Sequence, residues 1–309
     1  MSKKNDTPEL LISRKYVRQS QMRIILHNLR KNKGAMIGLA IITILVLVSC
    51  FADVLFDYDT EIAGLNISEK LIRPCKEHLF GTDDLGRDIF KRVLYGARYS
   101  LGVGFAATMI GMFVGVLFGA IAGYYCGLAE DIIMRLNDIL SAVPSILMGI
   151  VIVSALGAST FNLMLAIGIT SVPQFVRITR AAVLSVRNQE YVEALKATGM
   201  SEARIIAFHI IPNCMSPIIV QITLRIASAI IATSSLSFLG LGVPVPAPEW
   251  GSMLNLGRSY ATHEGCVECF CTTTAVTDHT RVDTITCPYI IADGVIEFCQ
   301  NLQFSHLRI

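Results

Sequence analysis

Apolar runs and charged breaks alternate along the 309 residues at a spacing that suits membrane crossings. Ala35–Ala52 is uncharged, 18 residues long and rich in Ile, Leu and Val, so the first transmembrane helix is placed over 35–56. Leu101–Tyr125 runs 25 residues without a charge and predicts a second span. A third reaches Ala158 from a start near Arg135 and Asp138, which are three residues apart and expected to pair. Ser159–Val176 is the fourth uncharged run. The chain is then apolar from Ile205 to Leu224 and again from Ile226 to Pro248, interrupted by Arg225. Pro144 falls inside the third run, where a kink is expected and neighbouring helices must satisfy the freed carbonyl, and Pro173 interrupts the fourth. The pattern predicts an all-α polytopic membrane protein with five detectable spans.

The longest polar break in the second half is Asn188–Asn213. Tyr191, Ala194, Leu195 and Thr198 stand at i, i+3, i+4 and i+7, with Glu190, Glu193 and Lys196 on other faces, which predicts a short amphipathic helix. Gly199 supplies a stop without a Cβ. Ser201 is placed to cap a second helix with Glu202 in its first turn, and Pro212 closes or kinks that helix. The product is a helix, a glycine turn and a helix leading back into apolar sequence.

Composition agrees with the pattern: 53% hydrophobic and 16% charged residues, with a mean hydropathy of +0.56. The net charge of +2 is small and forms no basic stripe, so nucleic acid is not an expected partner, whereas membrane lipid is. Bases collect in residues 1–34, which places this segment in the cytoplasm by the positive-inside rule. Its first apolar run begins too late for a cleavable signal peptide. Residues 57–89 carry eight acids against Lys70, Arg73, Lys76 and Arg87, which suits a loop on the other side.

Three clusters invite chemistry. His78 with Asp83, Asp84 and Asp88 mimics a metal site, but Thr82 or Asp83 is equally suited to cap a helix running toward Tyr99, and no metal is assigned. Gly111, Gly115, Gly119 and Gly123 repeat every four residues as a small-residue ridge, read as a helix-packing surface with a substrate-lining groove as the alternative. Arg225, alone inside an apolar run, must face water or a partner and is a functional candidate, as are the helix-breaking Pro144 and Pro173. Of nine cysteines, Cys50, Cys126 and Cys214 lie in or beside apolar runs and read as small buried hydrophobes.

Motifs across the chain resemble one family. Glu193-Ala194, Gly199 and Pro212 match the cytoplasmic coupling loop of ABC importer permeases (E-A-A, three residues, G, nine residues, I, one residue, L-P), with Leu195, His209 and Ile211 departing from it. His78-Leu79-Phe80-Gly81-Thr82-Asp83-Asp84-Leu85-Gly86-Arg87-Asp88, followed by L-Y-G-A-R-Y-S-L, is similar to the segment before the second span in C-type subunits of peptide permeases. Ser234–Gly242 (S-S-L-S-F-L-G-L-G), three prolines, Glu249-Trp250-Gly251 and Gly257-Arg258 also stand in the family's order. Glu249, Trp250 and Arg258 read as an anchored loop, with contact to a binding protein as the sharper alternative.

The resemblance implies the transmembrane domain of a type I ABC importer for dipeptides or oligopeptides, with nickel or glutathione as other cargoes in the family. It implies a loop and amphipathic helix over 57–99, a permease core over 100–260, and an ATPase-coupling loop over 188–213 that uses Glu190, Glu193, Ala194, Gly199 and Pro212. It also implies a B-type permease subunit, two ATP-binding subunits and an extracytoplasmic substrate-binding protein. G-x-x-x-x-G-K-[ST] is absent, so ATP is a cofactor of the partners, and the chain is a transporter subunit rather than an enzyme. An ion-coupled secondary transporter is the rival, but the spans lack acids apart from Asp138 near one end. A membrane-embedded enzyme would need convergent His, Cys or carboxylates within the spans, and none is evident.

The family pattern closes with a sixth span, which residues 261–309 do not supply: Glu264, Glu268, Asp278, His279, Arg281 and Asp283 leave no uncharged run of sufficient length. Cys266, Cys269 and Cys271 with His263 and His279 mimic a metal cluster, to which no ion is assigned. The expectation is that a reading-frame error or degeneration has disrupted the sixth span.

Overall fold

The computed structural model describes residues 33–244 and 246–258; the expectations for residues 1–32 and for the tail 261–309 lie outside the described residues. Ten helices follow: α1 (Lys33–Leu55), α2 (Ile89–Tyr125), α3 (Gly127–Ala142), α4 (Ser145–Leu156), α5 (Thr160–Val186), α6 (Glu190–Ala197), α7 (Glu202–Ile205), α8 (Ile211–Asn213), α9 (Met215–Phe238) and α10 (Trp250–Arg258). A π-helical turn over Ile206–Ile210 joins α7 to α8. Among the described residues, four helices are long and apolar enough to cross a membrane, and a fifth span is made if α3 and α4 count as one.

The axis is α2, whose 37 residues span about 55 Å against a hydrocarbon layer of about 30 Å. Its cap corrects one expectation. Asp88, rather than Thr82 or Asp83, occupies the N-cap and accepts from Lys91 N at 3.1 Å, and the expected separate amphipathic helix is the first part of this one rod.

The glycine ridge packs α2 against α5 in strict register. A Cβ on Gly111 would lie 2.7 Å from Ser171 Cβ, one on Gly115 2.4 Å from Phe175 Cβ, one on Gly119 2.8 Å from Thr179 Cβ, and one on Gly123 2.9 Å from Val183 Cβ. Each four-residue step on α2 thus meets a four-residue step on α5. The close approach is what small residues permit between helices in lipid, where apolar surface alone gives little reason to associate.

The two prolines behave differently. Pro173 stays inside α5, a continuous 27-residue helix. Pro144 ends the helical path: α3 and α4 meet at 88°, with Pro144 at the N-cap of α4, so the expected kink is a break. Asp138 pairs with Arg177 of α5 at 3.0 Å and not with Arg135; Arg180 of α5 bonds Glu130 at 2.6 Å, so α3 is fastened to α5 by two ion pairs. The last long apolar stretch is also shorter than it reads, because Ile205–Asn213 belongs to the hairpin and the span is α9 alone.

Candidate functional site: an exposed hairpin and a polar cavity

The two ends of α2 carry different structures. Beside Ile89 lies the loop from residue 57 to residue 88, held by its own charged motif. Asp83 accepts from Leu85 N and Arg87 N at 2.9 and 2.8 Å and from Arg87 Nε at 2.6 Å, while Arg92 Nη1 reaches the Ile62 carbonyl at 2.6 Å. His78 Nδ1 lies 2.9 Å from Asp88 Oδ2. Of the residues that mimic a metal site, His78, Asp83 and Asp88 are thus paired within the motif. At the loop's edge, a hydrogen bond from Lys91 holds the Glu61 carboxyl below the usual carboxylate range. Asp83→Ala leaves the buried Arg87 guanidinium without its carboxylate. The expected loss is about 3 kcal/mol or more, read as a clear drop in the temperature at which the detergent-solubilised chain aggregates.

Glu249 and Trp250 join this end to α10. Glu249 is wholly buried and accepts from Ser252 N at 2.9 Å, and Trp250 Nε1 donates to the Val93 carbonyl at 3.0 Å. They anchor the loop to α2, and Glu249 presents no surface to another protein.

At the Tyr125 end stands the hairpin, built around α6. Glu190 and Glu193 occupy the first turn of α6 and Lys196 the last, each on the favourable side of the helix dipole. Gly199, at φ +80°, closes a full Schellman stop: its N–H bonds the Lys196 carbonyl at 3.0 Å and Met200 N bonds the Leu195 carbonyl at 3.4 Å. Leu195 and Met200 then pack on the same apolar cluster. Ser201 sits at the next N-cap without a side-chain capping bond. The π turn precedes Pro212, whose missing N–H and bulky ring disfavour a regular helix there.

The buried edge of α6 differs from the expected one. Val192 is fully buried and Tyr191 and Leu195 flank it, whereas Ala194 and Thr198 are exposed. Thr198 turns outward because it is the C-cap, with its Oγ1 bonded to the Leu195 carbonyl at 2.7 Å. Val192 packs in a cluster with Tyr124, Val183, Val186, Ile205 and Ile210, drawn from α2, α5 and the helical return arm of the hairpin. Arg187 Nη1 donates to the Tyr124 carbonyl at 3.1 Å, Lys196 Nζ lies 5.1 Å from the Tyr124 ring centre, and Asn213 Nδ2 donates to Tyr191 Oη at 3.1 Å. Glu190, Glu193, Ala194, Gly199 and Pro212 are all exposed, so the structure gathers them on the outer side of one firmly seated hairpin.

The other three candidates also converge. Pro144, Pro173 and Gln174 line a cavity of about 270 Å³, and Arg225 lines a second of about 160 Å³; Ser145 and Thr170 border both. Pro173 has no N–H for the Ile169 carbonyl, and Ile169 lies on the wall of the larger cavity. Arg225 Nη2 donates to Ser171 Oγ at 2.6 Å and Nη1 to Gln174 Oε1 at 3.3 Å, and Gln221 Nε2 donates to the same Gln174 oxygen at 3.0 Å. Gln174 and Gln221 carried no signal in the sequence reading; their spacing from Arg225 on facing helices shows only once α5 and α9 are packed.

A bundle of membrane-length helices, a seated polar hairpin at one end and a polar cavity inside are parts that suit a membrane transport component. Residues 115–277 match the model of the binding-protein-dependent transport system inner membrane component, and residues 20–71 that of the N-terminal TM domain of oligopeptide transport permease C. The first match runs past Tyr260, where the motif-by-motif resemblance ends. The dipeptide transport system permease protein DppC of Alkalihalophilus pseudofirmus is 47% identical over 245 residues, 79% of this chain and 80% of that one. The oligopeptide transport system permease protein OppC of Bacillus subtilis is 43% identical over 234 residues, 76% of each. The MetNI methionine ABC transporter, solved in inward facing conformations, shares the fold at a TM-score of 0.51 and 13% identity, over 68% of this chain and 96% of that one. The chain belongs to the binding-protein-dependent inner-membrane permeases and, within them, to the C-type peptide permeases of ABC importers. It is a multi-pass protein of the inner membrane.

Proposed function

We propose that this chain is the C-type half of the pathway through which an ATP-driven importer moves dipeptides or oligopeptides. A B-type subunit supplies the other half, a binding protein delivers cargo on the extracytoplasmic side, and two ATP-binding subunits grip α6 on the cytoplasmic side, where the N-terminus also lies. The observation that carries the reading is the hairpin: α6 turns Glu190, Glu193 and Ala194 outward while Val192 and the Schellman stop fix it to α2 and α5. A rigid, exposed helix seated on two spanning helices can transmit a push to both. ATP drives such a device only if the ATPase contacts of α6 differ between the two states of the pathway. ATP is hydrolysed on the partners, and this chain contributes the lever and the cavity bounded by Pro144, Pro173 and Arg225. The relatives named for dipeptide and oligopeptide transport favour peptide cargo; the glutathione transport system permease protein GsiD of Pectobacterium atrosepticum, 39% identical over 231 residues, favours glutathione as the second reading.

Affinity purification of the tagged chain, expressed with its B-type and ATP-binding partners, tests the assembly. The expected result is a complex that retains the ATPase and hydrolyses ATP faster when a peptide-loaded binding protein is added. A chain that purifies without the ATPase contradicts the reading.

A further inference from the structure

We propose that Arg225, with Ser171, Gln174 and Gln221, forms a carboxylate-binding subsite for the C-terminal end of a transported peptide; this rests on the peptide-importer reading. Arg225 is the eleventh of the 24 residues of α9, about 15 Å from its start, which places it near mid-span. A cation at that depth is costly unless it faces water or an anion. The three helices around it, α4, α5 and α9, contain no Asp or Glu, and among the described residues no ion pair includes Arg225.

The hydrogen-bond inventory specifies what is missing. The guanidinium carries five N–H donors and finds two neutral oxygens, while its Nε is buried without a partner. Gln174 Oε1 already accepts from both Gln221 and Arg225. Donors are in surplus, and the group that answers a surplus of donors beside a positive charge is a carboxylate, an acceptor with two oxygens. The adjoining wall suits the rest of a peptide. Thr170, Ser228 and Ser235 each give their hydroxyl proton to a carbonyl of their own helix, at 2.9, 3.1 and 2.9 Å, leaving lone pairs toward N–H groups of a ligand. Cavities of about 160 and 270 Å³ meeting at Ser145 and Thr170 give a small peptide room beyond its carboxylate. The alternative occupant, an acidic side chain of a partner permease subunit, explains the surplus donors but not the cavities.

The test is a protection experiment in membrane vesicles holding the full chain with its B-type partner. Ser228→Cys places a thiol on the cavity wall, and its labelling by N-ethylmaleimide is followed by mass spectrometry of that peptide. Dialanine is expected to slow labelling at concentrations at least about tenfold lower than dialanine amide. Arg225→Gln is expected to abolish that difference, and Arg225→Lys to retain part of it. Equal protection by acid and amide in the Ser228→Cys protein overturns the proposal, as does an unchanged preference in Arg225→Gln. Release of the B-type partner by Arg225→Gln but not by Arg225→Lys also overturns it, since the guanidinium then serves that protein. The readout needs neither ATP nor transport. Carboxylate-selective protection in a chain that supports no ATP-driven uptake sinks the importer reading alone, and ATP-driven uptake without such protection sinks the subsite alone.

Discussion

Glu193→Lys and Gly199→Val are each expected to lower the stimulation of ATP hydrolysis by a loaded binding protein about tenfold, the effect of roughly 1.4 kcal/mol, while leaving basal hydrolysis unchanged. The two changes act on different links of one lever. Glu193 is exposed, in the first turn of α6, so lysine there reverses the charge offered to the ATPase and opposes the helix dipole without touching the buried cluster. Gly199 has nothing within 4 Å of an added Cβ, so the obstacle to valine is its φ of +80°, not space. A β-branched residue held there costs at least about 1–2 kcal/mol and strains the bonds from Gly199 and Met200 that end α6. Helix α6 then leaves its stop at another angle and its contacts no longer report the state of the pathway. Gly199→Ala, less strained, is expected to fall between. Measured on the purified complex, full stimulation in both Glu193→Lys and Gly199→Val would remove α6 from the coupling route.

Gly115→Leu is expected to yield little or no monodisperse protein, whereas Gly102→Leu on the same helix yields normal amounts. At Gly115 the first added atom already meets Phe175 Cβ at 2.4 Å and the Val172 carbonyl oxygen at 3.0 Å, and backbone does not yield as a side-chain tip does. Relief requires α2 and α5 to separate along the whole ridge, since Gly111, Gly119 and Gly123 are in register with the same partner. Overpacking a single core position costs about 1–3 kcal/mol; here the remaining contacts of the ridge are lost as well. Gly102 has nothing within 4 Å, so any failure there would trace to lipid insertion rather than to packing. Size-exclusion profiles of the two variants in detergent separate the cases, and equal behaviour would show that the ridge does not hold the bundle.

The features legible in the sequence are those in which local chemistry and packing agree. The four-residue glycine period announced a close helix pair because its partner on α5 repeats at the same step. The Gly199 stop was legible because the αL position, the dipole charges and the apolar return all favour one geometry. Where local signals tie, tertiary partners decided. Thr82, Asp83 and Asp88 are all competent caps, and Asp88 took the role because Arg87 claims Asp83. Pro144 and Pro173 are indistinguishable as residues. Pro173 sits in a helix held along its length by the glycine ridge, while Pro144 follows the amphipathic α3, which has Glu130 and Asp138 tied to α5 and no straight path into α4. The burial of Val192 in place of Ala194 follows from the direction in which α6 approaches α2 and α5, and helical spacing alone cannot supply that direction.

The central claim is that α6 lies on the cytoplasmic face, in the grip of the ATPase. A single cysteine at Glu193, in a chain whose other exposed thiols are replaced, tests it through a membrane-impermeant maleimide. The account predicts no labelling of intact cells, labelling once the cells are opened, and protection when the ATPase subunits are co-expressed. Labelling of intact cells from outside would contradict it.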